Sequence, residues 1–221
     1  MKLSPGLISE ASGIKQIGDN AMERVERYCN ILLSANRRIN LISRAGDQPI
    51  EITRQFLISI ATLRVIPESG DLWWLDIGSG GGFPAIPLAI FRPNIRFVLA
   101  ESMAKKAYFL ERAVEELGLT NVTVLNRRVE PGHCDLHPES DQFDWLSIKA
   151  VTDWDESLRW GKWYGKAGGY LVTYKAGRPT ADEMLAITDM GFELRHTFDL
   201  AEFFNFTEIK VLILKQIDLP D

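Results

Sequence analysis

Three glycines directly after an apolar run are the residues of this chain best suited to binding a ligand. The run Leu72–Ile77 is apolar apart from Asp76, as in a central parallel strand covered on both faces. Gly78, Gly80 and Gly82 follow it, and glycines there let the backbone turn tightly and approach a nucleotide without Cβ collisions. A helix expected to start at Pro84 adds free N–H groups. The segment therefore predicts a nucleotide-binding turn.

The spacing of the glycines distinguishes two classes of nucleoside-binding protein. A dinucleotide fingerprint needs Gly-x-Gly-x-x-Gly, and its third glycine allows close helix packing over a pyrophosphate. Phe83 occupies that third place here, and Gly-x-Gly-x-Gly preceded by Asp76 is similar to the methyltransferase version of the loop. That version accommodates the amino acid half of S-adenosylmethionine. We therefore expect this cofactor and disfavour a nicotinamide-dependent oxidoreductase, for which a credible proton donor is also missing.

Glu101 supports binding of a nucleoside. It lies 23 residues after Gly78, at the end of a second predicted strand, where an acid can hold both ribose hydroxyls. Nicotinamide and S-adenosylmethionine sites share this device, so Glu101 does not choose between them. The alternative interpretation is a tight turn followed by a surface glutamate.

Motifs that the chain lacks reduce the number of possible methyl acceptors. The sulfonium methyl is already activated, so an enzyme must mainly align the nucleophile with it. Enzymes for exocyclic amines usually have an Asn/Asp-Pro-Pro-aromatic loop after the fourth strand, where residues 147–150 read Ser-Ile-Lys-Ala. Carbon-5 of a pyrimidine needs a cysteine nucleophile, and neither Cys29 nor Cys134 stands in a Pro-Cys context. N7 of guanine needs no base, which fits the missing catalytic side chain.

The pattern around these residues predicts an α/β fold. Residues 1–66 are expected to form a helical N-terminal extension, with one helix capped by Asp19 or Asn20 and another after Pro49. In residues 67–221, short apolar runs alternate with amphipathic stretches, as βαβ units and a Rossmann-like sheet require. Predicted strands span 72–77, 95–100, 121–125, 143–148, 169–174 and 208–214. Gly118 is expected to end one helix, and Asp153 or Asp155 to cap another.

The composition is that of a globular protein, with 46% apolar and 25% charged residues. No apolar run is long enough to cross a bilayer and no secretory signal is visible, so we expect a cytoplasmic protein that works without a membrane. The net charge is −5, but residues 131–221 hold nine basic and sixteen acidic side chains, so the excess acid lies there. The negative net charge argues against strong, indiscriminate binding of nucleic acids, but it does not exclude binding of a specific RNA. The two histidines in the loop 132–138 are not on a helix, and no metal site is predicted.

Longer motifs resemble the RsmG (GidB) family of small-subunit (16S) ribosomal RNA guanine-N7 methyltransferases. The resemblance runs from about residue 28 to residue 214 and is carried by residues 36–41, 75–90, 101–110, 126–130 and 174–177. The continuation Gly-Phe-Pro-x-Ile-Pro from Gly82 is far more specific than the glycines alone. The resemblance implies a class I methyltransferase sheet, mostly parallel with an antiparallel last strand. It also implies N-terminal helices that help present RNA.

The resemblance and the loop together give a set of candidate site residues. The predicted cofactor contacts are Gly78, Ser79, Gly80, Gly82, Phe83, Glu101, Ser102, Arg128, Val129, Glu130 and Lys149. The predicted RNA contacts are Arg37, Arg38, Asn40, Arg54, Lys105, Lys106, Arg127 and Lys175. Lys149 and Lys175 are also the candidates for a catalytic role, because they follow strands at the edge where open α/β sheets place ligands. The expected partner is small-subunit ribosomal RNA or the assembling subunit, and the chain is expected to be a monomer.

The chain departs from the family pattern mainly in the residues expected to contact RNA, whereas the cofactor-binding motifs are better preserved. Where the family usually has Arg-His-x-x-Asp-Ser, Gln55 and Ile58 replace the histidine and the aspartate. Lys149 replaces the arginine of a Ser-Arg-Ala run, and lysine loses the bidentate fork of arginine. Ile209 and Lys210 stand where Arg-His is usual. Two alternatives therefore stay open: a methyltransferase for another RNA or a small molecule, and a non-catalytic RNA-binding paralogue.

Overall fold

A computed structural model of the chain describes residues 3–42, 48–130, 136, 142–149, 153–200 and 209–217. The helices in these ranges are α1 Pro5–Ser12, α2 Asp19–Asn36, α3 Gln48–Ile60, α4 Ala85–Phe91, α5 Ala104–Leu117, α6 Trp154–Tyr164 and α7 Ala181–Asp189. The strands are β1 Leu72–Ile77, β2 Ile95–Glu101, β3 Val122–Asn126, β4 Phe143–Ile148, β5 Gly165–Ala176, β6 Phe192–Asp199 and β7 Ile209–Gln216. None of these helices combines the length and the apolar composition needed to cross a bilayer.

The strands form one sheet in the order β3-β2-β1-β4-β5-β7-β6. Neighbours from β3 to β5 pair in parallel, whereas β7 pairs antiparallel with both β5 and β6. The predicted sheet, mostly parallel with an antiparallel last strand, is thereby confirmed. The strand order reverses between β1 and β4, and ligands of open α/β sheets bind at such a reversal, beside the carboxyl ends of the strands.

Each face of the sheet is covered by helices. Side chains of β1 alternate between the faces, so that Trp74 packs in one apolar cluster and Leu75 in the other. The first cluster also contains residues of α1, α2 and α3, and the second contains residues of α6 and α7. The N-terminal helices therefore share a hydrophobic core with the sheet that carries the glycine loop.

The helix ends confirm some predictions and correct others. Asp153 caps α6 by accepting from the N–H of Glu156 at 2.8 Å, and Gly118 ends α5 in the left-handed conformation. The prediction of Asp19 or Asn20 as a cap was wrong, since Gly18 precedes the helix and Asp19 is its first residue. Pro84 lies one residue before α4 rather than inside it. Strand β5 also begins four residues earlier than predicted.

Helix α2 is fastened to the end of α5. The Arg24 guanidinium donates to the carbonyl oxygen of Gly118 at 3.3 Å, and that of Arg27 donates to the carbonyl oxygen of Glu116 at 3.0 Å. The last carbonyl groups of a helix have no intrahelical donor. The two arginines supply donors, and they fix α2 across the helix that follows the second strand.

Candidate active site

The glycine loop adopts the conformation that its composition predicts. Gly78, Gly80 and Gly82 have φ angles of 71°, 55° and 95°, in the region that side chains with a Cβ rarely adopt. The N–H of Gly78 donates to the carbonyl oxygen of Ala100 at 2.8 Å, so the turn after β1 lies against the end of β2. The loop thus exposes backbone rather than side chains to the space at the carboxyl ends of the strands.

Helix α2 supports this loop from below. The hydroxyl of Tyr28 donates to the carbonyl oxygen of Gly81 at 2.7 Å. A Cβ on Gly81 would lie 3.3 Å from Leu32 Cδ1 and 3.4 Å from the carbonyl oxygen of Leu41, so α2 and the turn after it leave room for glycine. The sequence did not reveal this role, because Tyr28 and Leu32 have the spacing of ordinary core residues on a helix.

Glu101 joins the loop to the start of α5. One carboxylate oxygen accepts from the N–H of Gly80 at 2.9 Å, and the other accepts from the N–H of Met103 at 2.8 Å. Glu101 as a whole is only 5% exposed, yet it lines a cavity. A carboxylate has about four acceptor sites, so each oxygen keeps capacity for a hydroxyl group of a ligand.

Two adjoining cavities open at the carboxyl ends of β1 and β2, and Gly78 and Ser102 line both. The first has a volume of about 430 Å³ and is also lined by Ile77, Ala100, Arg127, Arg128, Val129, Glu130, Glu156 and Trp160. The second has a volume of about 520 Å³ and is also lined by Leu41, Ile42, Glu51, Arg54, Gln55, Ser79, Gly80, Gly81, Phe83, Glu101, Met103, Lys106 and Lys149. Together they form a cleft at the predicted edge of the sheet.

The cleft gathers most of the predicted cofactor residues. All of that set except Gly82 line at least one of the two cavities. Gly82 instead lies on the side of the loop that faces α4, where a Cβ would lie 2.6 Å from Ile86 Cδ1. Their roles toward a cofactor stay predictions.

The predicted RNA residues are more scattered. Three of them line the cleft: Arg54, Lys106 and Arg127. Four others are exposed but do not line it: Arg37, Arg38, Asn40 and Lys105. The structure does not bring Lys175 into the cleft, because its ammonium group pairs with the Glu183 carboxylate at 2.5 Å.

Two of the departures from the family pattern contact each other. The Lys149 ammonium donates to Gln55 Oε1 at 2.6 Å, and Gln55 Nε2 donates to Glu51 Oε1 at 2.6 Å. Arg54 binds the same carboxylate through two nitrogens, at 2.7 and 2.8 Å. Residues of α3 thereby fix the ammonium group 5.0 Å from the centre of the Phe83 ring.

Burial lowers the pKa of Lys149 to about 8, although the charges of Asp76 and Glu51 oppose this change. Burial also raises the pKa of Asp76 to about 6, against the effect of a hydrogen bond from Ser147. The Ser147 hydroxyl donates to Asp76 Oδ1 at 2.5 Å and accepts from Trp74 Nε1 at 2.7 Å. Asp76 lines neither cavity. It braces β1 against β4 beneath the loop.

The remaining departures, at Ile58, Ile209 and Lys210, do not line the cleft. Ile58 is buried among the apolar side chains of α3, and Lys210 is hydrogen-bonded to Asp199. Within the described ranges, no group of three or more histidine, cysteine or acidic side chains is arranged to hold a metal. The loop 132–138 with its two histidines lies outside the described residues.

Comparisons with known proteins match both the sequence and the fold. The family model described as rRNA small subunit methyltransferase G matches residues 21–197. Ribosomal RNA small subunit methyltransferase G of Carboxydothermus hydrogenoformans is 35% identical over 198 residues, which are 87% of this chain and 82% of that protein. The protein of the same name from Ectopseudomonas mendocina is 34% identical over 172 residues, or 78% and 77% of the two chains.

A solved structure shows the same fold at lower identity. Aeropyrum pernix fibrillarin with natively bound S-adenosyl-L-methionine has a TM-score of 0.54 and 17% identity, covering 75% of this chain and 74% of that one. This chain thus shares its fold with a protein that binds S-adenosyl-L-methionine. The resemblance that the motifs indicated is confirmed, and the chain belongs to the GidB family, rRNA small subunit methyltransferase G.

Proposed function

We propose that this protein transfers a methyl group from S-adenosylmethionine to N7 of a guanine in small-subunit ribosomal RNA. Membership in the GidB family supports the reaction class. The observation that carries the proposal is the Glu101 carboxylate, which lines the second cavity and contacts the glycine loop at Gly80. An acid in that place marks the ribose of a nucleoside cofactor.

The residues of the cleft fit S-adenosylmethionine. The volumes of the two cavities lie in the range of small-molecule sites. Val129 and Trp160 offer apolar walls for a flat adenine ring in the first cavity, and Glu101 offers acceptors for ribose hydroxyls. In the second cavity the exposed loop backbone leaves room for the methionine half, and the Lys149 ammonium offers a partner for its carboxylate.

The bound cofactor supplies a methyl group on a sulfonium, which is already activated for attack. The chain then has to orient an acceptor and exclude water. Leu41, Ile42 and Phe83 give the second cavity apolar walls suited to a planar base. N7 of guanine has a free lone pair and loses no proton. A general base is therefore not required, and Lys149, with a pKa of about 8, serves as a cation at neutral pH.

Basic side chains around the cleft are suited to RNA phosphates. Arg54, Lys106 and Arg127 line it, and we propose that they hold the strand that carries the target base. Arg37, Arg38 and Lys105 are exposed outside the cleft, and we propose that they add further phosphate contacts. Such contacts position the backbone and carry no sequence information of their own.

The proposal is tested by asking which nucleic acid accepts a labelled methyl group from S-adenosylmethionine in the presence of the purified protein. We expect incorporation into small-subunit ribosomal RNA or the assembling subunit, as N7-methylguanine. Mass mapping of ribosomal RNA from a strain that lacks the gene should show an unmodified guanine at one position where the wild type has N7-methylguanine. An unchanged map would remove the proposal. Transfer to another RNA or a small molecule, or RNA binding without transfer, would replace it.

The pKa of Lys149 predicts how cofactor affinity depends on pH. As pH rises from about 7 to about 9.5, the ammonium loses its proton and its bond to the cofactor carboxylate, so we expect the wild-type affinity to fall about tenfold. Lys149→Arg stays charged over this range. Since the amino group of the cofactor titrates similarly for both proteins, calorimetry should compare the two. Parallel pH profiles would contradict the assignment of Lys149 to the cofactor.

A further inference from the structure

We infer that the start of α5 carries a docking surface for an unpaired RNA strand next to the target base. This surface, called here the α5 platform, consists of Met103, Lys105 and Tyr108. The inference deepens the proposed function and rests on it, because it names the form of RNA that the cleft receives. It adds base stacking to a surface otherwise characterised only by charge.

Two large apolar side chains are exposed on the α5 platform. Tyr108 is 64% exposed and Met103 is 53% exposed. Met103 also lines the second cavity, so the platform borders the cleft at this residue. The backbone N–H of Met103 is held by Glu101 at 2.8 Å, which fixes the platform relative to the glycine loop.

The charge of this segment favours an anionic partner. Residues 102–110 contain Lys105 and Lys106 and no acidic residue. Lys106 lines the second cavity, and neither lysine forms an ion pair within the described ranges. Acidic residues are the ones that stabilise the first turn of a helix, and lysines there are unfavourable. An exposed aromatic ring three residues after the exposed Lys105, on the same face of the helix, matches the stacked bases and phosphates of a nucleic acid strand.

The aromatic side chain distinguishes between forms of RNA. In a duplex the bases stack on each other and present only their edges, so a tyrosine ring on the protein surface has no base face to contact. Proteins recognise unpaired RNA by stacking splayed bases on aromatic side chains. The α5 platform therefore fits an unpaired strand, with Tyr108 stacking on a base that flanks the target and Lys105 contacting its phosphate.

The test compares Tyr108→Ala with Tyr108→Trp and with Leu185→Ala. Leu185 is 62% exposed on α7, which packs on the other face of the sheet, so its variant is a matched control. Binding is measured with short single-stranded RNAs of small-subunit sequence and with the same sequences as duplexes. For the single strands we expect Tyr108→Ala to weaken binding by at least about fivefold, while Tyr108→Trp and Leu185→Ala keep wild-type affinity. Duplex binding should change in none of them.

Wild-type affinity of Tyr108→Ala for the single strands, or an equal loss for strands and duplexes, would overturn the inference. A loss of the same size in Leu185→Ala would overturn it as well. Lys105→Ala gives a second measurement, since removal of one phosphate contact should reduce the salt dependence of binding by about one counterion. Methyl transfer is assayed separately. Its absence from the wild-type protein would defeat the proposed function, whereas the binding contrast tests the α5 platform.

Discussion

Gly82→Ala is expected to lower the free energy of unfolding and to abolish detectable cofactor binding. Gly82 has a φ of 95°, and its Cβ would lie 2.6 Å from Ile86 Cδ1 and 3.1 Å from the hydroxyl oxygen of Tyr28. The left-handed backbone costs about 1–2 kcal/mol in a residue with a Cβ, and overpacking costs about 1–3 kcal/mol more. Ile86 is fully buried and has little room to move, so we expect the loop to shift to relieve the clash and to lose its place beside Glu101.

Gly168→Ala is the matched control for this change. Gly168 also has a left-handed backbone, with a φ of 76°, but no heavy atom lies within 4 Å of its Cβ position. Its variant should lose only the backbone contribution and should bind S-adenosylmethionine normally. The free energy of unfolding from denaturant titration and the affinity from calorimetry measure the two effects. Equal losses in both variants would show that crowding beneath the loop is not what requires glycine at position 82.

Glu101→Ala is expected to weaken S-adenosylmethionine binding by about tenfold to more than a hundredfold. The carboxylate accepts from the N–H groups of Gly80 and Met103 in the structure, and we propose that it also accepts from the ribose. Hydrogen bonds to a charged group contribute about 1.5–3 kcal/mol each. Calorimetry measures the change, and Glu115→Ala on the exposed side of α5 controls for the loss of one negative charge.

A ligand lacking the ribose 2′-hydroxyl separates the two roles of Glu101. If the carboxylate holds the ribose, wild type should bind the 2′-deoxy cofactor more weakly than the normal one, and Glu101→Ala should bind the two alike. If the carboxylate only braces the loop, both proteins should show the same preference. That second result would remove the ribose assignment.

Continuous apolar runs allowed the central strands to be predicted from the sequence. The bounds of β1 and β4 agree with the prediction at both ends, because strands buried on both faces are largely apolar, and only Asp76, Asp144 and Ser147 interrupt these two. The loop and its acid were predicted for a related reason. Glycine at alternate positions with positive φ angles and a carboxylate at a strand end are local requirements, visible within a few residues.

Contacts between distant segments could not be predicted in this way. Gln55 and Lys149 are 94 residues apart in sequence, and nothing in either local pattern indicates that they pair. Lys175 looked equivalent to Lys149, because both follow strands of the sheet. Only the position of Glu183 on α7 shows that its ammonium group is taken up elsewhere. The partner of a charged side chain is set by tertiary packing, and spacing alone does not contain it.

The contact between α2 and the glycine loop restricts how parts of related proteins can be exchanged. Tyr28 and Leu32 meet the backbone at Gly81, so two stretches far apart in the chain are shaped to each other. A hybrid that takes residues 1–66 from one relative and the remainder from another should work only when the two parents agree at this junction. During divergence, substitutions on that face of the helix and in the turn above it are expected to be inherited as matched sets.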